Sequence, residues 1–352
     1  MRKTKIIATG GTGYIGSHTV VELLSLGYEV VIADNLSNSH VSVIDRIEKI
    51  SGTRPQFVNL DLCDDLKSAS FFEEHADAAG IIHFAAFKAV GESVTFPLKY
   101  YHNNLLSMVQ VLHQAQRQSI PFHIFSSSAT VYGQPDRLPV TEKSPIKPAE
   151  SPYGKTKQIC EDILKDAIAA HAIRAGISLR YFNPVGAHSS ALIGELPQGI
   201  PNNLMPYITQ TAAGEREMLN VFGGDYATKD GTPIRDYIHV VDLAKAHVLA
   251  MERLINNQNH QNYEIFNLGT GKGSSVLEVI QAFEAATGLK IPYKIVDRRP
   301  GDVEVVYADP TLARLDLGWK AELGLEEMAA SSWAWEKYYR QNIEVLNSQK
   351  SK

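Results

Sequence analysis

The chain has 352 residues, 44% of them hydrophobic, with 34 basic against 39 acidic side chains and a formal net charge of -5. That length supports one large or two moderate domains with a substantial core, and the near-balanced charge without a basic block excludes nucleic-acid binding through a charged face. No apolar stretch approaches a membrane span, and the two cysteines, Cys63 and Cys160, stand in neither a metal nor a redox spacing, so a reducing, cytoplasmic setting with no metal centre and no membrane partner is expected.

Residues 5–9 read as a first strand, followed by Gly10-Gly11-Thr12-Gly13-Tyr14-Ile15-Gly16. Residues 17–26 read as an amphipathic helix ending at Gly27, and 28–33 as a second apolar strand ending at Asp34. This strand, glycine turn, helix, strand and acid form one unit. Gly10, Gly13 and Gly16 allow a tight turn and close approach of backbone to a pyrophosphate, whose charge the helix N-terminus favours. Asp34 stands where a carboxylate can bond adenosine ribose hydroxyls and would repel a ribose phosphate. No Arg or Lys lies between Ala33 and His40, so NAD is expected over NADP.

The alternation continues. Residues 56–60 read as a strand leading to Asp61-Leu62, positioned to meet an adenine, and 64–75 as a helix. Residues 80–85 read as a fourth strand running into Ala86-Phe87-Lys88, where Lys88 is available to neutralise a phosphate. A long helical pattern, 97–118, carries Asn103, and 121–125 is a buried-strand run ending in Ser126-Ser127-Ser128. In open parallel sheets, ligands bind at the carboxyl ends of the strands.

Ser151-Pro152 then reads as an N-cap and first helical residue, which puts Tyr153 and Lys157 on one face of the next helix. A serine, a tyrosine and a lysine together suit proton removal from an alcohol. A free tyrosine, with a pKa of about 10, is a poor base at neutral pH, but a nearby lysine cation favours its phenolate. The serine hydroxyl holds the substrate oxygen. With a further strand at 177–182, the pattern predicts an α/β fold: a Rossmann-type doubly wound parallel sheet.

After Asn183 the pattern changes. Residues 184–203 read as loop over the site, 204–213 as a helix, 222–233 as irregular polar chain, 241–254 and 275–286 as helices, 264–268 as a strand, and 298–302 as a charged turn. The expected division is a dinucleotide-binding domain at 1–183, with segments near 236–268 returning to it, and a smaller C-terminal α/β substrate domain at 184–352.

Taken together, Thr9 to Gly16, His83 to Ser93, Ser126 to Gly133, Ser151 to Lys157, Arg180 to Pro184, Pro201 to Pro206 and Arg235 to His239 resemble the extended short-chain dehydrogenase/reductase family over nearly the whole chain. Within it they are most similar to the branch that inverts C4 of UDP-hexoses, UDP-glucose and UDP-galactose. That resemblance implies bound NAD held by Gly10, Gly13, Tyr14, Ile15, Asp34, Asn35, Asp61, Leu62, Phe84, Lys88 and Asn103, with Tyr181 near the nicotinamide. It makes Tyr153 the base, Lys157 its tuner and a ligand of the nicotinamide ribose, and Ser128 the group that orients the sugar hydroxyl. Asn183, Asn203, Phe222, Arg235, Arg299 and Asp302 are implied to clasp the uridine diphosphate; two arginines suit a diphosphate and a carboxylate suits ribose hydroxyls.

A two-fold dimer through helices 97–118 and 152–174 is also implied. So is a gate at Val306, where the lack of a tyrosine ring leaves room for the acetamido group of N-acetylated UDP-sugars; a one-residue slip would instead put Tyr307 at the gate and reverse that expectation. One departure bears on the reading: Ala86 stands where many relatives carry glycine, which adds a methyl group near the cofactor. Ala129-Thr130 stand where the resemblance implies that a nucleotide-sugar dehydratase would carry an Asp-Glu pair, which argues against that enzyme. The competing readings are such a dehydratase, a dehydrogenase that releases NADH, and a non-catalytic dinucleotide sensor.

Overall fold

The computed structural model describes residues 3–348 except 198, 200, 202 and 299–302, with side chains as far as residue 342. In chain order the first elements are β1 (Lys5–Thr9), α1 (Tyr14–Ser25), β2 (Glu29–Asp34), α2 (Ser42–Ser51), β3 (Gln56–Asn59), α3 (Asp65–Glu74), β4 (Gly80–His83), α4 (Val90–Thr95), α5 (Pro97–Gln118), β5 (Phe122–Ser128), a 3-10 turn (Ala129–Tyr132), α6 (Pro152–Ala169) and β6 (Ala175–Tyr181). There follow β7 (Asn183–Val185), α7 (Leu204–Ala212), β8 (Leu219–Phe222), β9 (Ile234–His239), α8 (Val240–Ile255), β10 (Tyr263–Leu268), β11 (Gly273–Ser275), α9 (Val276–Thr287), β12 (Tyr293–Val296), β13 (Val305–Val306), α10 (Thr311–Asp316) and α11 (Leu325–Ser348). No helix among the described residues is long and apolar enough to cross a membrane.

Seven strands form one parallel sheet in the order β10-β6-β5-β4-β1-β2-β3. Ile6, Ile7 and Ala8 are all fully buried, because a central parallel strand is covered on both faces and reads as a continuous apolar run. Their side chains nonetheless alternate. Ile6 and Ala8 join Val30, Ile32 and Ile124 in a core shared with α1, α2 and α8, whereas Ile7 joins Val31, Ala33, Ile81 and Phe125 in a second core under α3, α5 and α6. Strand order reverses between β1 and β4, and the crevice at such a switch point is where a doubly wound sheet binds its ligand.

A smaller sheet is assembled from β11, β9 and β13, with β7 also pairing to β9, and β8 and β12 form a separate parallel pair. Its core gathers Val185, Ile208, Val221, Tyr237, Phe283 and Met328 from strands and from α7, α9 and α11. Asp236 of β9 is fully buried and accepts four bonds that tie it to the chain at 270–271 and 308: from Thr270 N and Oγ1 at 2.8 and 2.7 Å, and from Gly271 N and Ala308 N at 3.1 Å each. A buried carboxylate is tolerated only when it is satisfied in this way.

Several short elements go beyond expectation, among them α4, β7, β8, β11, β12, β13 and α10. Two longer ones differ for identifiable reasons. α1 starts at Tyr14 rather than at residue 17, because the glycine turn itself opens the helix. α2 goes beyond the expected elements, although Val43, Ile44, Ile47 and Ile50 carry helical spacing and all pack on the sheet.

Candidate active site

The cleft is built first from backbone. Gly10 lies in the left-handed region at φ 70°, and a Cβ there would meet Ala85 N, at the end of the neighbouring strand, at 2.6 Å. A Cβ on Gly16 would strike the Gly10 carbonyl oxygen. Gly13 caps α1 with no side-chain bond, so the first-turn N–H groups of α1 stay available to an anion. A Cβ on Gly10 or Gly16 would force the turn out of this shape, and the cradle that the glycines allow fits a diphosphate lying against bare backbone.

Asp34, at the end of β2, accepts from Thr12 N at 3.1 Å and from Leu36 N at 2.9 Å, so it braces the glycine turn against the next loop. Tyr14 donates to Gly186 O at 2.6 Å. Lys88 lies over the Tyr14 ring at 5.5 Å, and its ammonium pairs with Glu195 at 3.0 Å. Asn103 donates to Asn104 Oδ1 at 3.0 Å; Asn104 in turn holds the Phe87 backbone and Thr156, joining the cofactor wall to α6.

β5 ends in three serines with three different duties. Ser126 Oγ bonds the Tyr181 hydroxyl, and its carbonyl accepts from Lys157 Nζ at 2.7 Å. Ser127 donates to Glu161 at 2.5 Å, and Glu161 pairs with Arg180 in a buried bridge. Ser128 Oγ accepts from Thr130 N at 3.2 Å and Thr130 Oγ1 at 3.0 Å, which leaves its own proton to give. Ser151 caps α6 by accepting from Gly154 N at 3.1 Å, and Pro152 takes the first turn, as the dipeptide predicts.

Burial adds an electrostatic effect that helical spacing does not show. Burial pushes the Tyr153 phenol up to about 12, with the nearby Ser128 hydroxyl working against the rise. Lys157 is close by on the same helix face. Its amine is turned to the Ser126 carbonyl, its Nζ is 5.8 Å from the Tyr153 ring centre, and burial lowers its own pKa to about 8. Desolvation thus sets the direction for both groups.

The opposite wall comes from the smaller sheet. Asn183 on β7 pairs in register with Tyr237 of β9, and Val306 on β13 pairs with Arg235 of β9. Arg235 Nη1 donates to Ile234 O at 2.8 Å, Phe222 ends β8 and is 40% exposed, and Asn203 caps α7. Arg299 and Asp302 lie outside the described residues. Gly10, Gly13, Tyr14, Ile15, Asp34, Asn35, Asp61, Leu62, Phe84, Lys88, Asn103, Ser128, Tyr153, Lys157, Tyr181, Asn183, Asn203, Phe222, Arg235 and Val306 all line one cleft of about 1470 Å³. Val306 lines it and Tyr307 does not; the Tyr307 side chain lies instead over Gly273. Glu195, Lys294 and Trp335 line it too, without being expected. Glu195 lies in an aperiodic loop, and nothing in its local sequence signals a role.

The chain matches the family model described as GDP-mannose 4,6 dehydratase over residues 7–332. It is 52% identical over 331 residues to UDP-glucose 4-epimerase of Bacillus subtilis, covering 94% of this chain and 96% of the relative. Among solved structures, UDP-glucose 4-epimerase from Stenotrophomonas maltophila with bound NAD and formylated UDP-arabinopyranose superposes with a TM-score of 0.92 at 48% identity, covering 96% of this chain and 99% of that one. The Bifidobacterium longum enzyme in complex with NAD+ and UDP gives 0.91 at 47% identity, covering 96% and 99%. Where the resemblance implies an acid pair for a dehydratase, this chain has Ala129 and Thr130 in a 3-10 turn. With half of its residues shared over nearly its whole length, the chain belongs to the UDP-glucose 4-epimerases of the extended short-chain dehydrogenase/reductase family.

Proposed function

We propose that the protein inverts C4 of UDP-hexoses reversibly, interconverting UDP-glucose and UDP-galactose with NAD as a resident cofactor. The observation that carries this is the convergence of Ser128, Tyr153 and Lys157 with the glycine cradle in one cleft. NAD, when bound, accepts hydride from C4 and returns it. Tyr153 takes the proton of the 4-hydroxyl and gives it back on the return. Ser128 donates its remaining proton to the sugar oxygen and orients it. Lys157 binds the nicotinamide ribose and supplies the positive charge that the phenolate needs. Arg235, with Arg299 and Asp302, holds the uridine diphosphate while the 4-keto sugar turns to present its other face. Residues 1–183 and the strands returning near 236–268 serve the cofactor, and 184–352 mainly the nucleotide sugar.

The test is incubation with UDP-galactose and no added cofactor. UDP-glucose should form, and protein denatured afterwards should release NAD. No UDP-glucose, or net NADH, would remove the reading.

The substrate range extends to UDP-N-acetylglucosamine and UDP-N-acetylgalactosamine, because Val306 leaves space where a tyrosine ring would stand. Val306→Tyr should lose N-acetyl turnover selectively; wild type confined to plain hexoses would end that part. A cytoplasmic homodimer through α5 and α6 completes the proposal, and sedimentation of a monomer at micromolar concentration would contradict it.

A further inference from the structure

We infer that Glu195 is a positioning residue that ties the cofactor wall of the cleft to the nucleotide-sugar wall, and so sets how tightly the UDP-sugar is held. The inference rests on the function proposed above.

One carboxylate oxygen takes both partners. Lys88, from the chain after β4, reaches Glu195 Oε1 at 3.0 Å, and Asn203 Nδ2, from the start of α7, reaches the same oxygen at 2.6 Å. Asn203 occupies an N-cap, where asparagine ordinarily accepts from its own helix, yet it makes no side-chain cap bond and is turned to Glu195 instead. The backbone behind Glu195 is fixed independently. Trp335 Nε1 donates to Glu195 O at 2.9 Å, Trp335 fills the place of any Cβ on Gly194, and Gly194 bridges to Ala187. The Glu195 side chain is 14% exposed, against 51% for Lys88.

A carboxylate is the wrong charge to touch either diphosphate in this cleft. Its chemistry suits holding donors, and both donors it holds are among those that the resemblance assigns to the ligands. A bridge that preorganises donors lowers the ordering cost of binding and acts on affinity before rate.

The experiment measures kcat and KM for UDP-galactose with holoenzyme carrying Glu195→Ala, Glu195→Gln, Asn203→Ala and the Glu195→Ala/Asn203→Ala pair. Glu195→Ala should raise KM about ten-fold with kcat within about three-fold, the signature of lost binding rather than lost chemistry. Glu195→Gln keeps an acceptor for Asn203 but no ion pair, and should fall between. The double variant should raise KM by less than the product of the two single effects, since both substitutions cut the Glu195–Asn203 bond. Multiplicative KM effects, or a fall in kcat at unchanged KM, or a KM within about two-fold of wild type in Glu195→Ala, would overturn the inference. The isosteric Glu195→Gln keeps it testable if the alanine variant folds poorly. Wild-type inactivity on UDP-galactose would instead refute the function, not this bridge, and UDP titration of the same variants would then decide it.

Discussion

The two walls of the cleft are made of different material. The cofactor wall is mostly backbone: a glycine turn at φ 70°, a helix start with bare N–H groups, and the ends of β1, β2 and β4 in a sheet packed on both faces. The nucleotide-sugar wall is mostly side chains carried by short strands, with Asn183, Arg235 and Val306 brought together by pairing to β9. A backbone cradle is rigid and indifferent to what else the chain binds. A wall of side chains on short strands can change its specificity without disturbing the sheet beneath.

The largest effect lies where the walls meet. Tyr153→Phe removes the proton acceptor and little packing, so kcat should fall about 10²–10⁴-fold while thermal stability and bound NAD persist. Near wild-type turnover in steady-state assays would assign the base elsewhere.

The comparison is broken most directly by one substitution in each wall. Gly10→Ala places a Cβ against Ala85 N and forces alanine into the left-handed region. It should cost about 1–3 kcal/mol and empty the protein of NAD, as read by thermal unfolding and by nucleotide released on denaturation. Asp236→Asn turns one acceptor of β9 into a donor facing backbone N–H groups. It should cost about 1–3 kcal/mol and raise KM for the UDP-sugar while NAD content holds. If both variants lost NAD equally, the walls would be one unit.

The smallest effect concerns the buried Lys157 amine. Lys157 titrates near 8 when folded and near 10.5 in its ordinary state, so between those values the unfolded chain holds more protons. Its contribution to stability therefore rises with pH across that window. In urea unfolding of ligand-free protein, wild type should gain on Lys157→Met from about pH 8 to 10.5. Parallel stability curves would place the Lys157 amine in a solvated environment.

Much of this was legible along the chain. Glycine spacing, the strand–helix alternation and the Ser-Pro helix start are local signals whose physics acts within a few residues, so the cofactor wall and α6 could be located from residue order. The three serines were legible as a group, but their separate duties depend on Tyr181, Glu161 and Thr130, which lie away along the chain or across a turn. The upward push of burial on Tyr153 was not legible, because helical spacing sets which residues share a face, whereas desolvation is set by everything packed around them.

Sequence by itself determined much of the order of elements, the apolar runs of the central strands and the candidate reacting groups, because hydrophobic periodicity, glycine freedom and side-chain chemistry are properties of residues and near neighbours. Only tertiary structure decided that Val306 rather than Tyr307 lines the cleft, since strand pairing with Arg235 sets which face each side chain takes. It alone placed Glu195 between Lys88 and Asn203, because a bridge across two walls exists only once the chain has closed on itself.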